Sequence, residues 1–115
     1  MNIQRIQPNV RMSAAVVHNG FVFVSGQVAD DTNADVAGQT KQILDKIDRI
    51  LAEAGSSKER VLSANIWIAE ASTFNEMNSV WDAWVPAGHT PARACVESKL
   101  AFPQYTVEIG VIAAV

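Results

Sequence analysis

Eight residues of this 115-residue chain, Val36, Thr40, Ile43, Leu44, Ile47, Ile50, Leu51 and Ala54, recur at the period of an α-helix. A helix covering that stripe is about 28 Å long. Its apolar face needs an equally long surface to lie on, which a β-sheet can supply. Asn33 or a near neighbour is placed to cap it, and Asp35 suits the positive end of its dipole. Gly55 follows as a C′ glycine.

The rest of the chain reads mainly as strands. Residues 2–6 form a short edge strand. Residues 14–18 and 21–25 flank Asn19-Gly20, a type I′ hairpin signal. Residues 60–68 carry Val61, Ile66, Trp67 and Ile68 in a strand pattern. A second helix begins after Ser72 or Thr73, carries Phe74, Met77, Trp81 and Trp84 along one face, and closes at Pro86 and Gly88. Two further strands, 92–97 and 105–112, flank a loop at Phe102-Pro103. The order β-β-β-α-β-α-β-β predicts one α+β domain over residues 1–115, with two helices on one face of a sheet.

With 49 % hydrophobic residues the chain can build a core, but a domain this small leaves apolar surface for other subunits to cover. Its net charge is −3, with no run of Lys or Arg, so nucleic-acid binding by phosphate neutralisation is not expected. Nothing approaches a membrane span, and residues 1–8 lack the apolar core of a secretory signal. Cys95 is the only cysteine, which suits a reducing compartment and the cytoplasm.

Two strands carry a charge among apolar neighbours: Arg93 in the first and Glu108 in the second. A desolvated ion costs several kcal/mol even after relaxation. Arg93, held behind Pro91-Ala92, reads either as a bidentate anion clamp or as a structural arginine in a salt bridge, within the chain or across a subunit interface. Glu108 reads as a carboxylate that orients or deprotonates a water, as a partner for an arginine, or as a solvated position. Alternation puts it with Thr106, Gly110 and Ile112, opposite Val107, Ile109 and Val111. Ser25-Gly26-Gln27 is either a pocket edge or a turn with a positive-φ glycine. Cys95 shares a face with Arg93 and Glu97 and reads as pocket lining or core rather than a nucleophile. Asn78 lies on or beside the apolar stripe of the second helix. It either braces a loop or positions the segment carrying Arg93. His18, His89 and Cys95 do not make a zinc site, and there is no nucleotide-binding glycine motif. Neither a metal nor a cofactor is expected.

Taken together, Val24-Ser25-Gly26-Gln27, Gln39-Thr40, Phe74 with Met77-Asn78, Pro91-Ala92-Arg93-Ala94-Cys95-Val96-Glu97 and Val107-Glu108-Ile109 with Ile112-Ala113 resemble the RidA family of enamine/imine deaminases. The Pro-Ala-Arg-x-Cys-Val-Glu segment is the most specific part. The tryptophan-rich second helix and the Ala-Gly-His-x-Pro loop look closer to a small bacterial subgroup. The resemblance implies a chorismate-mutase-like fold and a homotrimer with clefts between subunits. Read alone, the two charged strands would pair as a hairpin; the family's sheet order puts another strand between them.

By resemblance, Arg93 binds the carboxylate of a 2-imino acid and Glu108 holds the attacking water. Ser25, Gly26, Asn78 and Cys95 line the cleft or contribute backbone contacts. The products are a 2-oxo acid and ammonia. One departure stands out. Active relatives carry a tyrosine where this chain has Met12, whose thioether packs but donates no hydrogen bond. The alternative is a non-catalytic trimeric module that binds 2-oxo acids or similar small carboxylates.

Overall fold

The computed structural model describes residues 2–115. Strands β1 (Gln4–Pro8), β2 (Ser13–His18) and β3 (Phe21–Gln27) precede helix α1 (Val36–Glu53). Strand β4 (Val61–Ile68), helix α2 (Phe74–Trp84), and strands β5 (Ala92–Glu97) and β6 (Val107–Ala114) follow. The six strands form one sheet in the order β1-β2-β3-β6-β4-β5. Pairing is antiparallel except between β4 and β5, which α2 connects as parallel neighbours.

Local signals account for the helix ends. Asp35, rather than Asn33, caps α1 by accepting a hydrogen bond from Gly38 N (2.8 Å). At the far end Ser56 N donates to Leu51 O (2.8 Å) and Gly55 N to Ala52 O (3.1 Å), a Schellman closure that uses the positive φ of Gly55. Asn19 (φ 56°) and Gly20 (φ 86°) make the expected hairpin turn. Thr73 sits at the N-cap of α2, but its hydroxyl donates to Glu70 O (2.7 Å) and caps nothing. The short turn Ala71–Thr73 leads into the helix instead, with Ala71 N held by Glu97 Oε2 (2.7 Å).

Both helices pack on one face of the sheet. Ile43, Leu44, Ile47 and Leu51 of α1 are buried with Val22, Ile66, Val107 and Ile109 of the strands. Helix α2 is tied to α1 near both ends. Glu76 Oε2 accepts from Ala37 N (3.1 Å), and Trp84 Nε1 donates to both oxygens of Asp48 (3.1 Å each). Among the described residues nothing covers the opposite face. Phe21, Phe23 and Val96 stand 42, 46 and 51 % exposed.

The hairpin of β5 with β6 does not form. Strand β4 lies between them, as the family resemblance implied. The connecting segment passes the end of β4, where Ser98 N donates to Ile68 O (2.9 Å) and Ala69 N to Thr106 O (3.0 Å). Gln39 fastens that segment to α1. It is 1 % exposed, its amide donates to Gln104 O (3.2 Å), and its carbonyl oxygen accepts from Thr106 N (3.0 Å).

Candidate functional site

Ser25-Gly26-Gln27 belongs to β3 and is not a turn. Gln27, not Gly26, pairs with Ile109, so the register slips by one residue between Val24 and Gln27. Such a bulge bends a strand and re-aims what lies beside it. Here it brings the Gly26 backbone against the Glu108 side chain. A β-carbon at position 26 would fall on Glu108 Oε2. The missing side chain is therefore what gives the carboxylate its seat. Across the bulge, a β-carbon at Gly110 would lie 3.4 Å from Val24 O.

Glu108 lies on the uncovered face, opposite Trp67 of β4. Next to it is a shallow trough of about 210 Å³ whose walls include Phe23, Gly26, Asn65, Trp67, Gly110 and Ile112. The Ser25 hydroxyl donates to Ala14 O (3.0 Å), so its proton is turned toward β2. Gln27 Nε2 donates to Ser25 O (3.1 Å) and bonds its Oγ (3.3 Å), bracing the bulge. Met12 is 48 % exposed in the turn before β2, where Asn9 Oδ1 accepts from Met12 N (2.9 Å). The β2–β3 register pairs Ala15 with Val24, so Met12 lies at the end of β2 nearest the bulge.

Arg93 belongs to the other face. It pairs in parallel with Ala64, whose side chain is in the core beneath the helices. Its Nη1 donates to Asn78 Oδ1 of α2 (2.7 Å). Its Cζ lies 5.2 Å from the Trp81 ring centroid and 5.8 Å from that of Phe74. Among the described residues the ion pairs are Lys41–Asp45 and Lys46–Asp30, and neither takes Arg93 or Glu108. The ion-pair reading of Arg93 thus finds no partner in the described part of the chain. Cys95, two residues on, is half-buried on the same face. Burial pushes its thiol pKa up, and the Arg93 charge partly offsets that.

The expected residues therefore form two groups. Asn78, Arg93 and Cys95 stand on the helix side at the β5 edge. Ser25, Gly26 and Glu108, with Met12 at that end, belong to the bulge and the open face. Trp67 pairs with both Val96 and Glu108, so Arg93 is two strands and three residues from Glu108, about 14 Å between backbones. With the sheet between them, the two side chains of one chain cannot hold one small ligand. Trp81 reads from sequence only as apolar stripe, and Phe74 as apolar stripe and part of the family resemblance; their spacing around Asn78 is the available signal for a role at Arg93. Among the described residues no cluster of His, Cys, Asp or Glu is arranged to hold a metal ion.

Fold and site together define a small α+β protein with an unneutralised arginine on one side of its sheet and a glutamate seated on a glycine bulge on the other. The family model described as endoribonuclease L-PSP matches residues 2–115, and the chain belongs to this family, the RidA/YjgF family. It is 43 % identical over 115 residues to the RutC family protein YoaB of Escherichia coli, covering 100 % of both chains. A RutC family protein of Haemophilus influenzae is 42 % identical over 114 residues, 98 % of each chain. The crystal structure of NMB1025, a YjgF-family protein of Neisseria meningitidis, superposes with a TM-score of 0.96 at 48 % identity, covering 99 % of this chain and 95 % of that one.

Proposed function

We propose that this protein hydrolyses reactive 2-imino and enamine acids to 2-oxo acids and ammonia, in clefts between the subunits of a chorismate-mutase-like homotrimer in the cytoplasm. The observation that carries the reading is the state of Arg93. An amide and two rings hold it, and among the described residues no carboxylate pairs with it. Such a guanidinium is a ready receptor for a planar carboxylate. The separation of Arg93 from Glu108 favours a cleft assembled from two copies, Arg93 from one and Glu108 from the next. The uncovered apolar face gives those copies a surface to share.

In this reaction Arg93 fixes the substrate carboxylate. Glu108 accepts one proton from a water as its oxygen bonds to the imine carbon and passes it to the nitrogen. The hydroxyl proton of the resulting carbinolamine follows as C=O forms and the C–N bond breaks, releasing ammonia. Water and imino acid in, oxo acid and ammonia out, balance without a redox partner. The imine is already electrophilic, so positioning and electrostatics suffice.

Met12 favours a second reading, a trimeric binding module for 2-oxo acids with little turnover. No phenol stands there to donate a hydrogen bond. An RNA substrate, which the family model's description suggests, gains no support from a net charge of −3.

The test is ammonia release from an imino acid generated in place by an amino-acid oxidase. Wild type should accelerate release over buffer, and Arg93→Ala should fall to the buffer rate. Tight binding of a 2-oxo acid without acceleration selects the binding module. An accelerated rate kept in full by Arg93→Ala removes the arginine clamp and the binding module alike.

A further inference from the structure

We infer that the uncharged amide of Asn78, with the rings of Phe74 and Trp81, holds Arg93 in place while leaving its charge available to a ligand. The ligand class rests on the carboxylate-clamp reading above. The lack of charge at residue 78 keeps that clamp open, and Phe74, Asn78 and Trp81 are its positioning residues.

Phe74, Asn78 and Trp81 stand at i, i+4 and i+7, one row along α2. The ends of that row are about 10.5 Å apart along the helix axis. The Arg93 Cζ lies 5.8 Å from one ring centroid and 5.2 Å from the other, and Nη1 donates to the amide between them. Aromatic faces attract a cation without taking its N–H groups as a carboxylate would. Of about five guanidinium N–H donors, one is committed to Asn78, and the others remain for an in-plane, two-point contact with a carboxylate.

Among the described residues, neither the carboxylates that flank this site nor the exposed Asp82 of α2 forms an ion pair with Arg93. Glu97, on the same face of β5, accepts from Ala71 N (2.7 Å), and Glu76 of α2 accepts from Ala37 N (3.1 Å). An aspartate at position 78 would accept the same hydrogen bond with the same shape. It would also supply the negative charge that the surroundings of Arg93 now lack.

The variants Asn78→Asp, Asn78→Ala and Phe74→Leu separate holding from neutralising. Phe74 is 41 % exposed, so its variant should stay folded, which a thermal melt checks. Two readouts are needed: calorimetric binding of 2-oxobutanoate, and labelling of Arg93 by phenylglyoxal followed by mass spectrometry. Asn78→Asp should weaken binding at least about tenfold and protect Arg93 from labelling. Asn78→Ala and Phe74→Leu should weaken binding about two- to fivefold and leave labelling as fast as in wild type or faster. If Asn78 only braces the fold, Asn78→Asp will bind and label like wild type, and the inference is overturned. If wild type binds no carboxylate but Asn78→Asp still shields Arg93, the clamp reading fails while the uncancelled arginine stands.

Discussion

An arginine braced by an amide and aromatic rings keeps what an ion-paired arginine has given up, a net charge for something else to meet. At Arg93 a single hydrogen bond to Asn78 (2.7 Å) makes that difference. Glycine does the corresponding work for Glu108. A β-carbon at position 26 would strike the far end of a flexible side chain, so the fold can yield but the carboxylate must move. Gly26→Ala should therefore cost only about 1 kcal/mol in urea denaturation, while ammonia release falls at least about tenfold. Equal losses of stability and rate would instead make Gly26 a packing residue. At Cys95 burial raises the thiol pKa, so the thiolate fraction at pH 7–8 lies below that of a free cysteine. Iodoacetamide should label it more slowly than an unfolded control, with the rate rising only toward alkaline pH. Arg93→Ala should slow labelling further, because it removes the charge that favours the thiolate.

Among the elements, α1 was legible because its signals are local. The apolar stripe and the Gly55 closure are written within one stretch of sequence, which also places the cap to within two residues, at Asp35 rather than Asn33. The same holds for the Asn19-Gly20 turn. Strand pairing is not local. Strands β5 and β6 follow each other in the chain, yet β4 takes an edge of each, and no feature of 92–112 alone announces that. The bulge was equally hidden, since a Ser-Gly-Gln segment serves a turn as readily as a bulge. The setting of Arg93 depends on a helix 15 residues away in sequence, beyond the reach of any periodicity. Gln39 appeared only as part of a resemblance, but its amide joins α1 to the segment leading into β6. Gln39→Leu would remove the partner of Thr106 N and of Gln104 O and bury a leucine in the place of the amide, and should cost about 1–3 kcal/mol. Chemical denaturation measures this; a change within about 0.5 kcal/mol would mean that water replaces the amide.

On the scale of the whole molecule, the sheet divides the chain chemically. Helices cover one face, and Phe21, Phe23 and Val96 leave the other apolar and open. A chain of this size gains by burying such a face against copies of itself. Phe23→Glu should therefore shift the oligomer toward monomer in light scattering and remove ammonia release with it. A fully active monomer would contradict a shared cleft. The same division makes a cleft shared between copies testable by subunit mixing. Arg93→Ala and Glu108→Gln proteins, each inactive alone, are unfolded together and refolded as mixed oligomers. If Arg93 of one copy serves the same cleft as Glu108 of the next, some clefts in the mixture regain both groups and ammonia release returns. If the mixture stays as inactive as its parents while mass spectrometry shows mixed oligomers, the two residues do not share a site across subunits.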